Sequence, residues 1–143
     1  MNRVFVMDNS IVMTWCFRHE TNPYADAILD KLTEAEALVP AIWPLEVVNV
    51  FLAAERRQRL QQRDSVRFLA LLAQLPITVE HRPMVEKTGE ILILGRATNL
   101  SSYDASYLEL AMRQGLPIAT LDQKLLTTAR QMAVPLLEVR QPE

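Results

Sequence analysis

Four acidic residues, spread along the whole chain, have settings from which they could bind a metal ion. Asp8 ends the apolar run VFVM, and Asp122 ends a second apolar stretch. Asp104 lies in the first turn of one predicted helix, and Glu46 lies within another. If the four carboxylates meet, their charge must be neutralised, because two like charges about 4 Å apart repel by roughly 4 kcal/mol even at an effective dielectric near 20. Sites made only of carboxylate oxygens suit hard divalent ions such as Mg²⁺ or Mn²⁺.

Two of these acids also fit an ordinary role at the start of a helix. Asp122 is a favoured N-cap residue directly before a predicted helix, and Ser101 and Asp104 have the spacing of a capping box. Both settings place a carboxylate at the positive end of a helix, where we expect it to stay ionised and available to a cation. Helix capping and metal binding are both open for these residues.

Glu46 is harder to explain by local structure alone. It interrupts the stretch IWPLEVVNVFL, whose apolar residues lie almost all round the helix and therefore predict a buried helix. Glu46 and Asn49 are three residues apart and share one face, which could also be a narrow solvated stripe that continues toward Arg56. A carboxylate among so many apolar neighbours is costly unless a partner satisfies it. This cost favours a functional role for Glu46.

The elements that must position these acids alternate between strands and helices. Strands are predicted at 4–7, 37–39, 77–79, 116–120 and 136–137, and helices at 11–17, 22–33, 40–60, 64–74, 83–96, 101–113 and 122–132. Short apolar strands that alternate with helices predict a parallel sheet covered on both faces. Ligands of such sheets bind beyond the carboxyl ends of the strands, and Asp8 follows one of these ends.

Composition indicates an ordinary globular chain that forms one domain. The chain has 143 residues, of which 50% are hydrophobic and 22% charged, so it can bury a core without disulfides. Its formal net charge of -2 gives no general sign of nucleic-acid binding, so any phosphate contact needs a local patch or bound cations. The only dense basic stretch comprises Arg56, Arg57, Arg59, Arg63 and Arg67. RNA contact and a simple solvated surface are equally good explanations of this stretch.

The remaining reactive residue types exclude several other classes of protein. Cys16 is the single cysteine, so there is neither a disulfide framework nor a cysteine zinc site, and we expect it to be buried and inert. His19 and His81 are expected at the surface, and neither has the partners of a nucleophilic triad. Asp8 interrupts the apolar N-terminal stretch, no signal-cleavage pattern follows, and no run could span a membrane. We therefore expect a cytoplasmic protein.

Four motifs, in the order VMDNS, PLEVVNVF, SSYDASYLELA and ATLDQKL, give the chain its resemblance to a known family. It resembles the PIN-domain nucleases, and most closely the VapC-type toxins of type II toxin–antitoxin pairs, over residues 1–143 as a single domain. The resemblance implies a three-layer α/β/α sandwich with a central parallel sheet. It implies that Asp8, Glu46, Asp104 and Asp122 bind the catalytic Mg²⁺ or Mn²⁺, and that Ser10, Asn49 and Thr120 support this site.

The same resemblance implies an activity and partners. The activity is cleavage of single-stranded or loop RNA to products with a 5′-phosphate and a 3′-hydroxyl, by a water that the metal activates. Glu46 or Asp104 could assist proton removal, and the sequence leaves both open. A VapB-like antitoxin and a homodimer are the implied partners. Arg56, Arg57 and Arg59 are candidate RNA contacts.

Three alternatives remain beside the toxin. A phosphatase of the haloacid-dehalogenase type also places an Asp after its first strand, but it needs a second acid two residues later, where this chain has Ser10. In a non-catalytic binding module, the acids would only cap helices and end strands. A stand-alone PIN nuclease would process RNA without an antitoxin.

Overall fold

The central feature of the fold is a parallel sheet of four short strands. A computed structural model describes residues 3–17 and 22–139. Its strands are β1 (Val4–Met7), β2 (Glu36–Val39), β3 (Ile77–Val79) and β4 (Ile118–Ala119). They are parallel and lie in the order β3-β2-β1-β4. The predicted parallel sheet is confirmed, and Asp8 follows β1, one of its two inner strands.

Seven α-helices flank the sheet in the described part of the chain. They are α1 (Asn9–Cys16), α2 (Pro23–Lys31), α3 (Trp43–Arg56), α4 (Gln62–Ala73), α5 (Thr88–Thr98), α6 (Ser102–Gln114) and α7 (Gln123–Gln131). Successive residues of β1 point to opposite faces of the sheet, yet Phe5, Val6 and Met7 are all 0% exposed. Both faces are therefore covered, as the predicted α/β/α sandwich requires.

Several element bounds differ from the prediction for local reasons. Helix α1 begins at Asn9 rather than at residue 11, because the Asp8 carboxylate caps it by accepting from the Ser10 N–H. The predicted helix 83–96 is divided into a 3₁₀ turn, Met84–Lys87, and α5. β4 has only two residues, and the predicted strand 136–137 is a single bridge between Ile118 and Leu136.

Helix α3 is not the buried helix that its composition predicts. It runs from Trp43 to Arg56 instead of 40–60, and only one side, which includes Val47 and Phe51, is buried. On the other side, Leu45, Val48 and Leu52 are 66%, 38% and 40% exposed. An apolar pattern cannot distinguish a face that contacts the core from a face that is left for a partner.

Two adjacent clefts run beside this exposed apolar face. Ile42 and Tyr103 line both clefts, which have volumes of about 590 and 460 Å³. Glu46 lines the smaller one. Within residues 3–17 and 22–139, no helix combines the length and the apolar character needed to cross a membrane.

Candidate active site

Asp8 is the most enclosed acid of the candidate site. It follows β1 directly and is only 4% exposed. The Ser10 hydroxyl donates to its Oδ1 at 2.5 Å, and the Thr120 hydroxyl donates to its Oδ2 at 2.9 Å. Each carboxylate oxygen of Asp8 therefore has a donor, as a buried polar group requires.

The same two hydroxyls connect Asp8 to the segment that follows β4. The Ser10 Oγ accepts from the Leu121 N–H at 2.9 Å, and the Thr120 Oγ1 accepts from the Asp122 N–H at 3.0 Å. Asp122 in turn caps α7, with its Oδ1 accepting from the Leu125 N–H at 2.9 Å. The capping role inferred for Asp122 thus occupies one oxygen and does not use the other.

Glu46 contacts a residue that was not identified from the sequence. The Tyr107 hydroxyl donates to Glu46 Oε1 at 2.6 Å, and Tyr107 itself is 1% exposed. Tyr107 follows Asp104 by three residues on α6 and so lies on the same face of this helix. That spacing was the only signal in the sequence, because Glu46 is 61 residues away.

Burial and the charges of neighbouring acids both raise the pKa values of Asp8 and Glu46. Burial raises the pKa of Asp8 to about 7; hydrogen bonds from Ser10 and Thr120 oppose this rise, while the charges of Asp104 and Asp122 add to it. Burial also raises the pKa of Glu46, with the Tyr107 hydrogen bond opposing it and the Asp104 charge contributing. The charge of Asp104 therefore acts on both Asp8 and Glu46, and the charge of Asp122 acts on Asp8.

Asp104 departs from the expectation that a helix N-terminus keeps it ionised. Its pKa is raised, first by burial and then by the charge of Asp122, and the charge of Lys124 only partly opposes the rise. The Ser101 hydroxyl accepts from the Asp104 N–H at 3.1 Å, so the predicted cap is present. Burial and the nearby charge of Asp122 therefore outweigh the effect of the helix N-terminus on the pKa of Asp104.

Lys124 is a second residue at this end of the sheet that the sequence did not single out. It lies two residues after Asp122, and its Nζ donates to the Asn99 carbonyl at 2.7 Å. Through its effect on the pKa of Asp104, it is a positive charge that acts on the acidic cluster. The spacing from Asp122 is the signal that could have found it.

The acids of the site have oxygen atoms suited to a hard divalent cation, but their side chains are not arranged around a common position as ligands would be. Their donors are all oxygens, and the raised pKa values of Asp8, Glu46 and Asp104 reflect carboxylate charge that burial leaves uncompensated. Across the described ranges, however, no group of three or more His, Cys, Asp and Glu side chains is arranged to hold a metal ion.

The other sequence candidates lie on helix α3 or just after it. Asn49 lines the same cleft as Glu46, and its exposed side chain makes no hydrogen bond to any described residue. Arg56 and Arg57 are exposed at the far end of α3, and Arg56 is about 15 Å along the helix axis from Glu46 at 1.5 Å per residue. The Arg59 guanidinium lies 5.8 Å from the centre of the Phe17 ring. The role of these three arginines as RNA contacts stays a prediction.

The cysteine and histidine expectations have separate outcomes. Cys16 is a free thiol whose expected burial is confirmed, and burial raises its pKa to about 11. His81 is exposed, as expected. His19 lies outside the described residues.

Comparisons with known proteins identify the family. Residues 5–131 match the family model of the PIN domain, and the chain therefore belongs to the PIN-domain family. Membership of this family indicates a nuclease. A comparison of the sequence with curated proteins finds no significant match.

Solved structures share the fold at low sequence identity. PAE2754 from Pyrobaculum aerophilum is 20% identical, with a TM-score of 0.63 over 90% of this chain and 87% of that one. FitAcB from Neisseria gonorrhoeae is 18% identical, with a TM-score of 0.59 over 94% and 96%. A domain of a functionally unknown protein from Methanocaldococcus jannaschii is also 18% identical, with a TM-score of 0.54 over 99% and 95%.

Proposed function

We propose that this PIN domain is a Mg²⁺- or Mn²⁺-dependent endoribonuclease that cleaves single-stranded or loop RNA. The observation that carries the proposal is the buried Asp8 carboxylate, on which the charges of Asp104 and Asp122 act and whose pKa is raised to about 7. Such an arrangement is costly for the free protein, and a divalent cation relieves the cost. Membership of the PIN family supports hydrolysis of a phosphodiester as the reaction.

The proposed ligands are Asp8, Glu46, Asp104 and Asp122. When bound there, the divalent ion lowers the pKa of a bound water and offsets charge that develops on the phosphate. Hydrogen bonds to Ser10 and Thr120 hold the Asp8 carboxylate in one orientation. This prior ordering reduces the reorganisation required during the reaction.

The raised pKa values also suit proton transfer. The pKa of both Glu46 and Asp104 lies above the usual value, which makes either a better acceptor for the proton of an attacking water. The Tyr107 hydroxyl fixes the orientation of Glu46. The Lys124 ammonium adds a positive charge beside Asp104, where an RNA phosphate approaches.

Protein partners are part of the proposal. We propose that the chain is the toxin of a VapBC-type pair in the cytoplasm, that a VapB-like antitoxin blocks its site, and that it forms a homodimer. The exposed apolar residues Leu45, Val48 and Leu52 support a protein partner, because a contiguous apolar face beside a cleft is typical of an interface. The resemblance of the four acidic motifs supports the choice of this toxin class.

The decisive experiment measures RNA cleavage by the purified chain. A panel of structured and single-stranded RNAs is incubated with Mg²⁺, Mn²⁺ or EDTA, with Asp8→Asn as the test variant. Asp30→Asn is the matched control, because Asp30 is an exposed acid on α2. We expect metal-dependent cleavage that Asp8→Asn abolishes and Asp30→Asn leaves unchanged. Cleavage that persists in EDTA or in Asp8→Asn would refute the proposal.

A second experiment tests the toxin assignment separately. Expression of the wild-type chain in bacteria should arrest growth, and Asp104→Asn should relieve the arrest. A chain that cleaves RNA in vitro but does not arrest growth is a stand-alone nuclease rather than a toxin. A chain that binds no metal and cleaves nothing is a non-catalytic module.

A further inference from the structure

Tyr103 is an exposed aromatic residue that lines both clefts beside α3. Its side chain is 55% exposed, and it directly precedes Asp104 in the first turn of α6. Neither its ring nor its hydroxyl has a hydrogen bond, an aromatic contact or a cation contact with any residue of 3–17 and 22–139. The ring therefore offers a surface on which a planar ligand can stack.

The larger of the two clefts has a lining that suits a flat, partly apolar ligand. Its volume of about 590 Å³ is within the range of about 300–1,000 Å³ that is usual for small-molecule sites. Apolar Met84 and Leu100 line it together with the polar residues Asn99 and Ser102. One wall is a single face of α5, formed by Thr88, Ile91, Leu92, Gly95 and Arg96. Such a lining can cover the apolar faces of a nucleic-acid base and form hydrogen bonds with its edge.

The charges at the larger cleft favour an anionic ligand. Among the described residues that line it, Arg96 is charged and none is acidic. Arg96 is exposed, and its guanidinium has no hydrogen bond or ion pair with any described residue. The Lys124 ammonium donates to the carbonyl of Asn99, which also lines this cleft, and two of its three hydrogens stay available. The smaller cleft, in contrast, is lined by Glu46.

The larger cleft is also close to the acidic residues. Tyr103 precedes Asp104 in the chain and lines the smaller cleft together with Glu46. Lys124, which is hydrogen-bonded at the larger cleft, is the residue whose charge lowers the pKa of Asp104. A strand that places a base in this cleft therefore has its backbone near the acids.

We propose that the larger cleft holds one unpaired base of an RNA strand, which stacks on Tyr103 while Arg96 binds a neighbouring phosphate. This inference rests on the proposed function for the choice of RNA as the ligand. Aromatic rings and positive charges together are what single-stranded nucleic acids require of a binding site. A base within a duplex is already stacked and paired, so this cleft admits single strands and loops and excludes helices.

The test measures RNA binding in EDTA at low ionic strength, so that it needs neither metal nor cleavage. Fluorescence anisotropy follows two labelled single strands of about ten nucleotides, an adenosine oligomer and an abasic oligomer with the same sugar–phosphate backbone. We expect Tyr103→Ala to reduce the preference for the adenosine oligomer about tenfold, equivalent to about 1.4 kcal/mol. A merely structural role would weaken the binding of both oligomers by one factor, and an unchanged preference would overturn the inference.

Two variants control for the loss of the ring. Tyr103→Phe keeps the stacking surface and removes only the hydroxyl, so its preference should equal that of the wild type. Val66→Ala is the matched control for the loss of an exposed apolar side chain, because Val66 is 68% exposed on α4 and lines neither cleft. It should also bind as the wild type does.

Arg96 is tested in the same assay. Arg96→Gln should weaken the binding of both oligomers by the same factor, since both carry the same phosphates. It should also lower the slope of log K against log salt concentration by about 0.7. Arg130→Gln is the matched control, because Arg130 is an exposed arginine on α7 that lines neither cleft. Equal salt slopes for the wild type and Arg96→Gln would contradict the phosphate contact.

The remaining outcomes separate this inference from the proposed function. If the wild type does not prefer the adenosine oligomer, the cleft holds no base, whatever the cleavage assay shows. If Tyr103→Ala keeps the preference but converts a dimeric wild type into a monomer, a second copy of the chain covers the cleft and the inference is wrong. If Tyr103→Ala loses the preference but the wild type cleaves no RNA with Mg²⁺ or Mn²⁺, the base site is supported and the proposed nuclease activity is wrong.

Discussion

Replacement of Asp8 by asparagine is expected to stabilise the metal-free protein at neutral and alkaline pH. The pKa of Asp8 rises from 3.8 to about 7 in the folded protein, so between these pH values the folded state binds more protons than the unfolded state. The contribution of Asp8 to stability is therefore complete below pH 3.8 and is lost as the pH rises through about 7. An asparagine at this position carries no charge to bury at any pH.

The size of the effect follows from the pKa difference. About three pH units at about 1.36 kcal/mol each give an upper bound on the order of 4 kcal/mol above pH 7. Asparagine replaces one accepting oxygen by an NH₂ group, which cannot accept from the Ser10 or the Thr120 hydroxyl. A lost hydrogen bond of this kind costs about 1–3 kcal/mol. We therefore expect a net stabilisation of about 2 kcal/mol at pH 8.

Urea unfolding in EDTA at several values between pH 5 and pH 9 measures this effect. The difference in free energy of unfolding between Asp8→Asn and the wild type should move in favour of the variant as the pH rises. Asp30→Asn, at an exposed position on α2, should show no such trend. A difference that is independent of pH, or a variant that loses stability relative to the wild type toward pH 8, would refute the assignment of a buried, charge-bearing Asp8.

Three further predictions concern the same cluster. Mg²⁺ at 100 times its dissociation constant should raise the free energy of unfolding of the wild type by about 2.7 kcal/mol and leave Asp8→Asn unchanged, and equal responses in urea titrations would contradict this. Thr120→Val removes a hydrogen bond that lowers the pKa of Asp8, so this pKa should lie above about 7 in the variant. NMR titration of the carboxyl group in EDTA measures it, and a lower value would contradict the role of this bond. Lys124→Met removes a charge that lowers the pKa of Asp104 and should move the acid limb of the pH–rate profile upward, whereas Lys124→Arg should not. The Lys124 prediction is wrong if both variants give the same profile.

The sheet could be predicted from the sequence because its strands have strong local patterns. Residues 4–7 form a continuous apolar run, and β1 has the predicted bounds because it is buried on both faces. The strand predicted at 116–120 is only Ile118–Ala119 in the structure, because β1 pairs with it through just two residues, Val6 and Met7. Such pairing depends on the tertiary fold and cannot be read from the sequence of one segment.

The sequence suggests which acids are candidates for a site, but it does not show the surroundings of their side chains. Asp8, Asp104 and Asp122 were found because strand ends and helix starts are visible locally. The Tyr107 hydrogen bond to Glu46 spans 61 residues and depends on how α3 and α6 pack, so no local pattern shows it. Asp104 was expected to stay ionised, because the sequence shows that it lies at the start of a helix. The sequence does not show its burial beside Asp122, which raises its pKa.

The bond between Thr120 and Asp8 joins residues that are 112 positions apart. Asp8 is synthesised early, whereas Thr120 and Asp122 are added only after most of the chain has been translated. Domains form their long-range contacts late, since distant segments must first be brought together. A nascent chain that is still attached to its ribosome before residue 120 has emerged therefore lacks a completed acidic centre. The order of synthesis therefore delays completion of the acidic centre until most of the chain has been made.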